Sequence, residues 1–117
     1  MHRSVIVAKI EPAAEDEVTA IWSESDRTEL PHVVGVLHRS LYRLGDLYVH
    51  LLETELPGAS AVASAARHPE FARVSQELSR FITPYLASWR SPQDAQARCF
   101  YQWSRPEAAS RPAGGSR

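Results

Sequence analysis

The chain has 117 residues and a single cysteine, Cys99. No disulfide can form within it, and no cysteine-based zinc cluster can be built. Lysine is nearly absent: Lys9 stands alone among 13 basic residues, a bias that fits coding by a GC-rich genome. There is no excess of either charge, with 13 basic against 14 acidic residues and a net charge of -1. That balance argues against a nucleic-acid binder working through bulk charge, although it leaves a local basic groove open. No apolar run approaches the roughly 18 residues that span a bilayer. The stretch after Met1, His2 and Arg3 is too short for a secretory signal. The expectation is a soluble cytoplasmic protein with neither nucleic acid nor membrane as partner. Metal is not expected, because His2, His32, His38 and His68 lack ligand spacing and there is no HExxH. A glycine-rich phosphate loop and a serine nucleophile elbow are also missing.

What remains is ordinary globular composition, 44% hydrophobic and 23% charged. The length suits one domain with a working core. Residues 3–10 are rich in β-branched side chains and read as a strand that Pro12 stops. Ala14, Val18, Ile21, Trp22 and Ser25 then fall on one helix face. Glu15, Asp16 and Glu17 occupy its first turn, where acids suit the helix dipole. Residues 33–44 and 46–55 read as two further strands joined by a two-residue turn at Leu44 and Gly45. Residues 59–67, mostly Ala and Ser, form a helix that His68 and Pro69 end. Pro69 opens another, with Phe71, Val74, Leu78, Phe81 and Ile82 at helical spacing and Pro84 closing it. Residues 97–104 are aromatic and read as the last strand. The tail, 105–117, is Pro, Ala, Gly, Ser and Arg and reads as disordered.

This order, β-α-β-β-α-β with the second helix broken in two, is the ferredoxin-like arrangement, an α+β fold with a four-stranded antiparallel sheet. Helices on one face leave the other apolar face bare. A second sheet is expected to cover it, giving a homodimer of the dimeric α+β barrel kind.

The middle hairpin carries the chemistry. With Leu44 and Gly45 as the turn, Arg43 faces Asp46, Leu41 faces Tyr48, Arg39 faces His50 and Leu37 faces Leu52, all on one sheet face. Arg39 and His50 become neighbours in an apolar stripe, where a cation beside a titratable ring is costly without a purpose or a partner. Asp26, four residues after Trp22 at the end of the first helix, can pair with Arg39 or orient His50. Ser25 places a small polar group on the apolar stripe. Each has a plainer reading: Asp26 as a surface carboxylate, Arg39 as a strand residue with its stem on apolar surface, His50 as a hydrogen-bonded core histidine. Trp22, Tyr48, Phe81, Tyr85, Trp89, Phe100, Tyr101 and Trp103 read as core, some lining a flat pocket.

Several blocks then stand in a recognisable order: Ser-Asp-Arg-Thr-Glu-Leu-Pro (25–31), Val-Gly-Val (34–36), Arg-Leu-Gly-Asp-Leu-Tyr-Val-His-Leu (43–51), His-Pro-Glu-Phe (68–71), Thr-Pro-Tyr (83–85) and Phe-Tyr-Gln-Trp (100–103). Over about residues 2–104 the chain resembles the tetracenomycin-type polyketide cyclases, and within them those of spore-pigment gene clusters. The resemblance implies a homodimeric ferredoxin-like enzyme of bacterial type II aromatic polyketide synthesis that needs no cofactor. Its substrate would be a poly-β-ketone or partly cyclised polyketide, with acyl carrier protein and ketosynthase as possible partners. The reaction would be an intramolecular aldol condensation with loss of water. The residues suspected in that family map to Asp26, Arg39 and His50. Arg39 would stabilise the oxyanion, His50 would move the proton, and Asp26 would orient Arg39 or a water. Trp22, Ser25, Tyr48, Phe81 and Tyr85 are the expected substrate contacts. Where the tetracenomycin-type pattern has His directly before the Asp, this chain has Ser25, so no two-imidazole mechanism is available there. Two other readings stay open: a binding template that only prevents wrong folding of the polyketide, and a cofactor-free monooxygenase of the same fold.

Overall fold

The computed structural model describes residues 1–90 and 92–106. Strand β1 (His2–Ile10) runs into a short 3-10 turn at Pro12–Ala14 and then helix α1 (Glu15–Ser25). A short helix α2 (Leu30–Val34) precedes the hairpin of β2 (Val36–Leu44) and β3 (Leu47–Thr54). Helices α3 (Gly58–Ala66) and α4 (Pro69–Leu78) follow, then strand β4 (Ile82–Pro84). The sheet order is β2-β3-β1-β4 and every pairing is antiparallel. This is the ferredoxin-like order expected from the sequence. The broken second helix is also present: His68 ends the α3 segment and caps α4, its Nδ1 accepting the Glu70 backbone N–H at 3.1 Å, with Pro69 opening the helix.

Three local expectations are corrected. Residues 33–35 belong not to the second strand but to α2 and its end. Val33 and Val34 are helical, and Gly35 takes φ +78°, the left-handed conformation that terminates a helix. The β-branched residues there mislead because the helix is short and packed on α3. The last strand is Ile82–Pro84, not residues 97–104. Phe81 and Ile82 keep helical spacing in sequence, but α4 ends at Leu78. Thr83 precedes a proline, which disfavours helix. Pro84, which has no N–H, is tolerated because β4 is an edge strand. Beyond it, Gln96 bridges Ile6 and the Ala97 N–H donates to the Val5 carbonyl at 2.6 Å. Residues 97–104 then leave the sheet, so Phe100, Tyr101 and Trp103 are exposed rather than core. Tyr85 is likewise 53% exposed. In the tail, residues 107–117 lie outside the described residues.

The hairpin register is corrected as well. Leu44 pairs with Leu47, and the turn is Gly45 and Asp46. Gly45 has φ +61°, which glycine adopts freely and leucine does not, so Leu44 is excluded from the turn. Arg43 therefore faces Tyr48, Leu41 faces His50 and Arg39 faces Leu52, while an irregularity between Val36 and His38 takes Leu37 out of register. The turn moves by one residue and the pairing by two, so the side chains from His38 onward keep their expected faces, while Leu37 does not.

The helices cover the face formed by Ser4, Ala8, Ile10, Tyr48, His50, Leu52 and Thr54, all buried. The core lies in two clusters. One joins Ala8, Ile10, Ala14, Val18 and Tyr48; the other joins Leu30, Val34, Ala61 and Ala65. No helix among the described residues is long and apolar enough to cross a membrane.

Candidate functional site

A cavity of about 540 Å³ separates the two core clusters and draws its wall from both. The sheet supplies Ala8, Tyr48, His50 and Leu52. Helix α1 supplies Trp22, α2 Leu30 and Val34, α3 Ala61 and Ala65, and α4 Val74 and Leu78. The wall is mostly apolar. Its one charged group, Arg39, stands with Trp22, Tyr48 and His50 where α1 meets the β2–β3 hairpin, and Ser75, Ser79, Thr83 and Gln96 add uncharged polar groups elsewhere on the wall.

Arg39 is the hub. It leans from β2 toward the end of α1, where Asp26 is the residue just past the helix. Asp26 accepts from Arg39 Nε at 3.1 Å and from Nη2 at 2.7 Å, a two-bond fork. The guanidinium carbon lies 4.1 Å from the centre of the Trp22 ring, so the cation is stacked on an indole face. Arg39 Nη1 stands 3.1 Å from His50 Nε2. A guanidinium has only donors, so Nε2 accepts and the ring proton of neutral His50 belongs on Nδ1. Arg39 and His50 are diagonal rather than opposite on the strands, a separation that a side chain as long as arginine spans.

Trp22 also binds Tyr48: its indole N–H donates to the phenolic oxygen at 3.1 Å. His50 meets the Trp22 ring edge-on at 5.0 Å and the Tyr48 ring at 6.3 Å. These surroundings set the chemistry. Burial, with the Arg39 cation adding to it, pushes His50 down to about 3. Burial pushes the Tyr48 phenol up to about 12, partly offset by the Trp22 hydrogen bond and by Arg39. At neutral pH both groups are therefore uncharged, and Arg39 holds the charge.

Of the eight residues singled out from the sequence, Arg39, His50, Trp22 and Tyr48 line the cavity together. Asp26 does not; it stands behind Arg39 and reaches the cavity only through it. Ser25 is fully buried with its Oγ unpartnered, the one such side-chain atom found among the described residues, and it too lies outside the lining. Phe81 packs on the first core cluster instead, and Tyr85 borders a smaller recess of about 220 Å³ with Val7, Leu86 and Trp89. Sequence reasoning missed the opposite wall: Ala61 and Ala65 on α3 and Leu30 and Val34 on α2. The i, i+4 spacing of Ala61 and Ala65 was the available signal, since small residues on a buried helix face leave room beside it.

The family model described as polyketide synthesis cyclase matches residues 2–104. The chain is 41% identical over 106 residues to polyketide synthase CurG of Streptomyces cyaneus, covering 90% of this chain and 99% of that one. It is 36% identical over 107 residues to tetracenomycin F2 cyclase of Streptomyces glaucescens, covering 92% and 98%. The solved structure of that cyclase, described as a type-II polyketide cyclase, superimposes with a TM-score of 0.83 and covers 91% of this chain.

Proposed function

The chain belongs to the polyketide synthesis cyclases and acts in aromatic polyketide biosynthesis, and on that premise we propose that it closes a ring of a poly-β-ketone by intramolecular aldol condensation and loss of water, with no cofactor. The observation that carries this reading is one charged group, Arg39, held in the wall of a mostly apolar cavity of about 540 Å³. Methylenes between two carbonyls are already acidic, so the substrate needs folding more than activation. Apolar walls select one conformer and place the reacting carbons together. Arg39 faces the attacked carbonyl and stabilises the oxygen as it becomes negative, in a site where few other polar groups compete.

Arg39 donates three of its five N–H groups to Asp26 and His50, which leaves two for substrate. Asp26 is a positioning residue, since it holds Arg39 from outside the cavity. His50 takes a different part from the proton carrier expected of it. Its Nε2 is occupied by Arg39 and its basicity is low, so it orients Arg39 and offers its Nδ1–H to the cavity.

A homodimer is part of this proposal. Val5, Val7, Val49 and Leu51 occupy the sheet face opposite the helices, with Tyr42 beside them 57% exposed. Phe100, Tyr101 and Trp103 add exposed aromatic surface. Light scattering at micromolar concentration should return twice the 13.1 kDa of the chain; a monomer would remove the second sheet.

The test of the activity is the product profile of a minimal type II polyketide synthase with and without the protein. Its presence should convert misfolded side products into one cyclised aromatic product. An unchanged profile overturns the cyclase reading. A wild-type profile from folded Arg39→Ala, with turnover unchanged, would instead make the protein a template whose walls alone do the selecting.

A further inference from the structure

We propose that Tyr48 is a catalytic residue of this cavity, its phenol donating the proton that the new alkoxide takes up when the ring closes. This rests on the cyclase reading and supplies the acid that His50 does not provide. Tyr48 is 4% exposed and contributes to the cavity wall from the start of β3. Its oxygen already accepts the Trp22 indole N–H at 3.1 Å. An indole N–H can only donate, so the phenolic proton must point elsewhere. Among the described residues no hydrogen bond takes it up. A buried hydroxyl proton without an acceptor is unfavourable, and a substrate oxygen in the cavity would relieve it. The Arg39 cation, stacked on the same indole, lies close to where the negative charge would develop.

The step balances as follows. The substrate enters as the enol of a 1,3-dicarbonyl. Its enol carbon bonds to the carbon of a distant ketone, and the C=O π pair moves to the ketone oxygen. Tyr48 gives that oxygen its proton, making a hydroxyl. The enol O–H proton passes to water as its carbonyl reforms, and water reprotonates the Tyr48 phenolate. The β-hydroxyketone is thus an isomer of the substrate, and Tyr48 is unchanged. Loss of one water from that product gives the unsaturated ring.

The experiment uses the full chain, limiting, in a reconstituted minimal polyketide synthase. Tyr48→Phe should lower turnover by about 10- to 100-fold, near the low end for proton transfer because the substrate is reactive, with KM changed less than about threefold. A second variant carries 3,5-difluorotyrosine at position 48, which keeps ring and hydroxyl and makes the phenol more acidic. It should keep most of the activity lost in Tyr48→Phe and should bring the alkaline limb of the pH–rate profile down into the measurable range. The other charged or titratable groups facing Tyr48 are Arg39 and Arg43 from β2 and His50 from its own strand. Arginine stays protonated throughout and His50 titrates near 3, so neither produces that limb. A hydroxyl that merely anchors Trp22 would not move it. Wild-type turnover in folded Tyr48→Phe overturns the inference. So does a fluorinated variant whose alkaline limb stays where the wild type has it, which decides the matter even if Tyr48→Phe fails to fold. Either result leaves ring closure by the wild type intact; a wild type that closes no ring instead removes the cyclase reading itself.

Discussion

His50 shows how position changes what a residue can do. An exposed histidine takes its proton near pH 6.5; this one, buried and facing Arg39, resists until about 3. An unfolded chain therefore binds one more proton than the folded one through that window, so stability falls as pH drops from about 6.5 to about 3 and levels out below. Urea titrations at several pH values should show this loss, and His50→Gln should flatten it within the same window. Asp26 sits at the other end of the network and works through Arg39. Asp26→Asn keeps the shape and removes the charge that holds the guanidinium fork. Turnover should fall about tenfold, within the range of a lost positioning contact. Stability should change by less than about 1 kcal/mol, because the Asp26 side chain is still 39% exposed and solvent screens the pair. Circular dichroism alongside kinetics separates the two effects; an unfolded variant would mean the ion pair is structural.

Among the elements, α2 and α3 decide the size of the cavity. They pack on each other through Leu30, Val34, Ala61 and Ala65, with Val36 and Phe71 against them. Ala65 is 5% exposed and borders the cavity, so extra methylenes there enter open space. Ala65→Leu should leave the melting temperature close to that of the wild type while raising KM or altering which ring is closed. Product analysis reads the change, and an unaltered profile would place the substrate elsewhere. The step from α2 into β2 depends on Gly35. At φ +78° an added Cβ is strained whatever the space, and it would also stand 3.2 Å from Glu55 Oε1. Gly35→Ala should cost about 1 kcal/mol from the left-handed backbone, which for a domain this size is about 4–8 °C in melting temperature. Gly45, at φ +61° with nothing within 4 Å, should cost less.

For the whole molecule, one sheet serves two different surfaces. The face under the helices borders the cavity, and the opposite face carries Val5, Val7, Val49 and Leu51 flanked by Arg3, Lys9, His38, Ser40 and Glu53. The chain extends 49 × 31 × 27 Å, longer in one direction than a compact body of this length requires. Its exposed aromatic segment, 97–104, is joined to the sheet at its start, through the Ala97 N–H and the Val5 carbonyl. Truncation after Arg98 should leave the monomer fold intact, since β1, β3 and β4 pair without that segment, but should weaken self-association. Light scattering against concentration checks this, and unchanged association would place the contact on the valine and leucine face alone.

Periodicity determined the class of fold here. The β-branched run of β1, the 3.6-residue stripe of α1 and the proline after His68 state their elements locally, and short connections then admit few topologies. The face of each hairpin residue from His38 onward was also legible, because side chains alternate with period two, and a coupled shift at the turn preserves it; the irregularity before His38 was not. That is why Arg39 and His50 were brought together correctly although their register was not. Legibility ended where a choice depended on distant partners. Residues 33 and 34 became helix because α3 packs on this segment through Leu30 and Val34. Phe81 and Ile82 left the helix because β1 offers a free edge at residues 8–10. The aromatics of 97–104 stay outside the sheet although β2 and β4 are both edge strands. Proton chemistry was hidden for the same reason: a histidine and a tyrosine have ordinary acidities in any sequence. Only the tertiary structure, by burying them around one arginine and one indole, decided that His50 is a poor base and that Tyr48 keeps its proton.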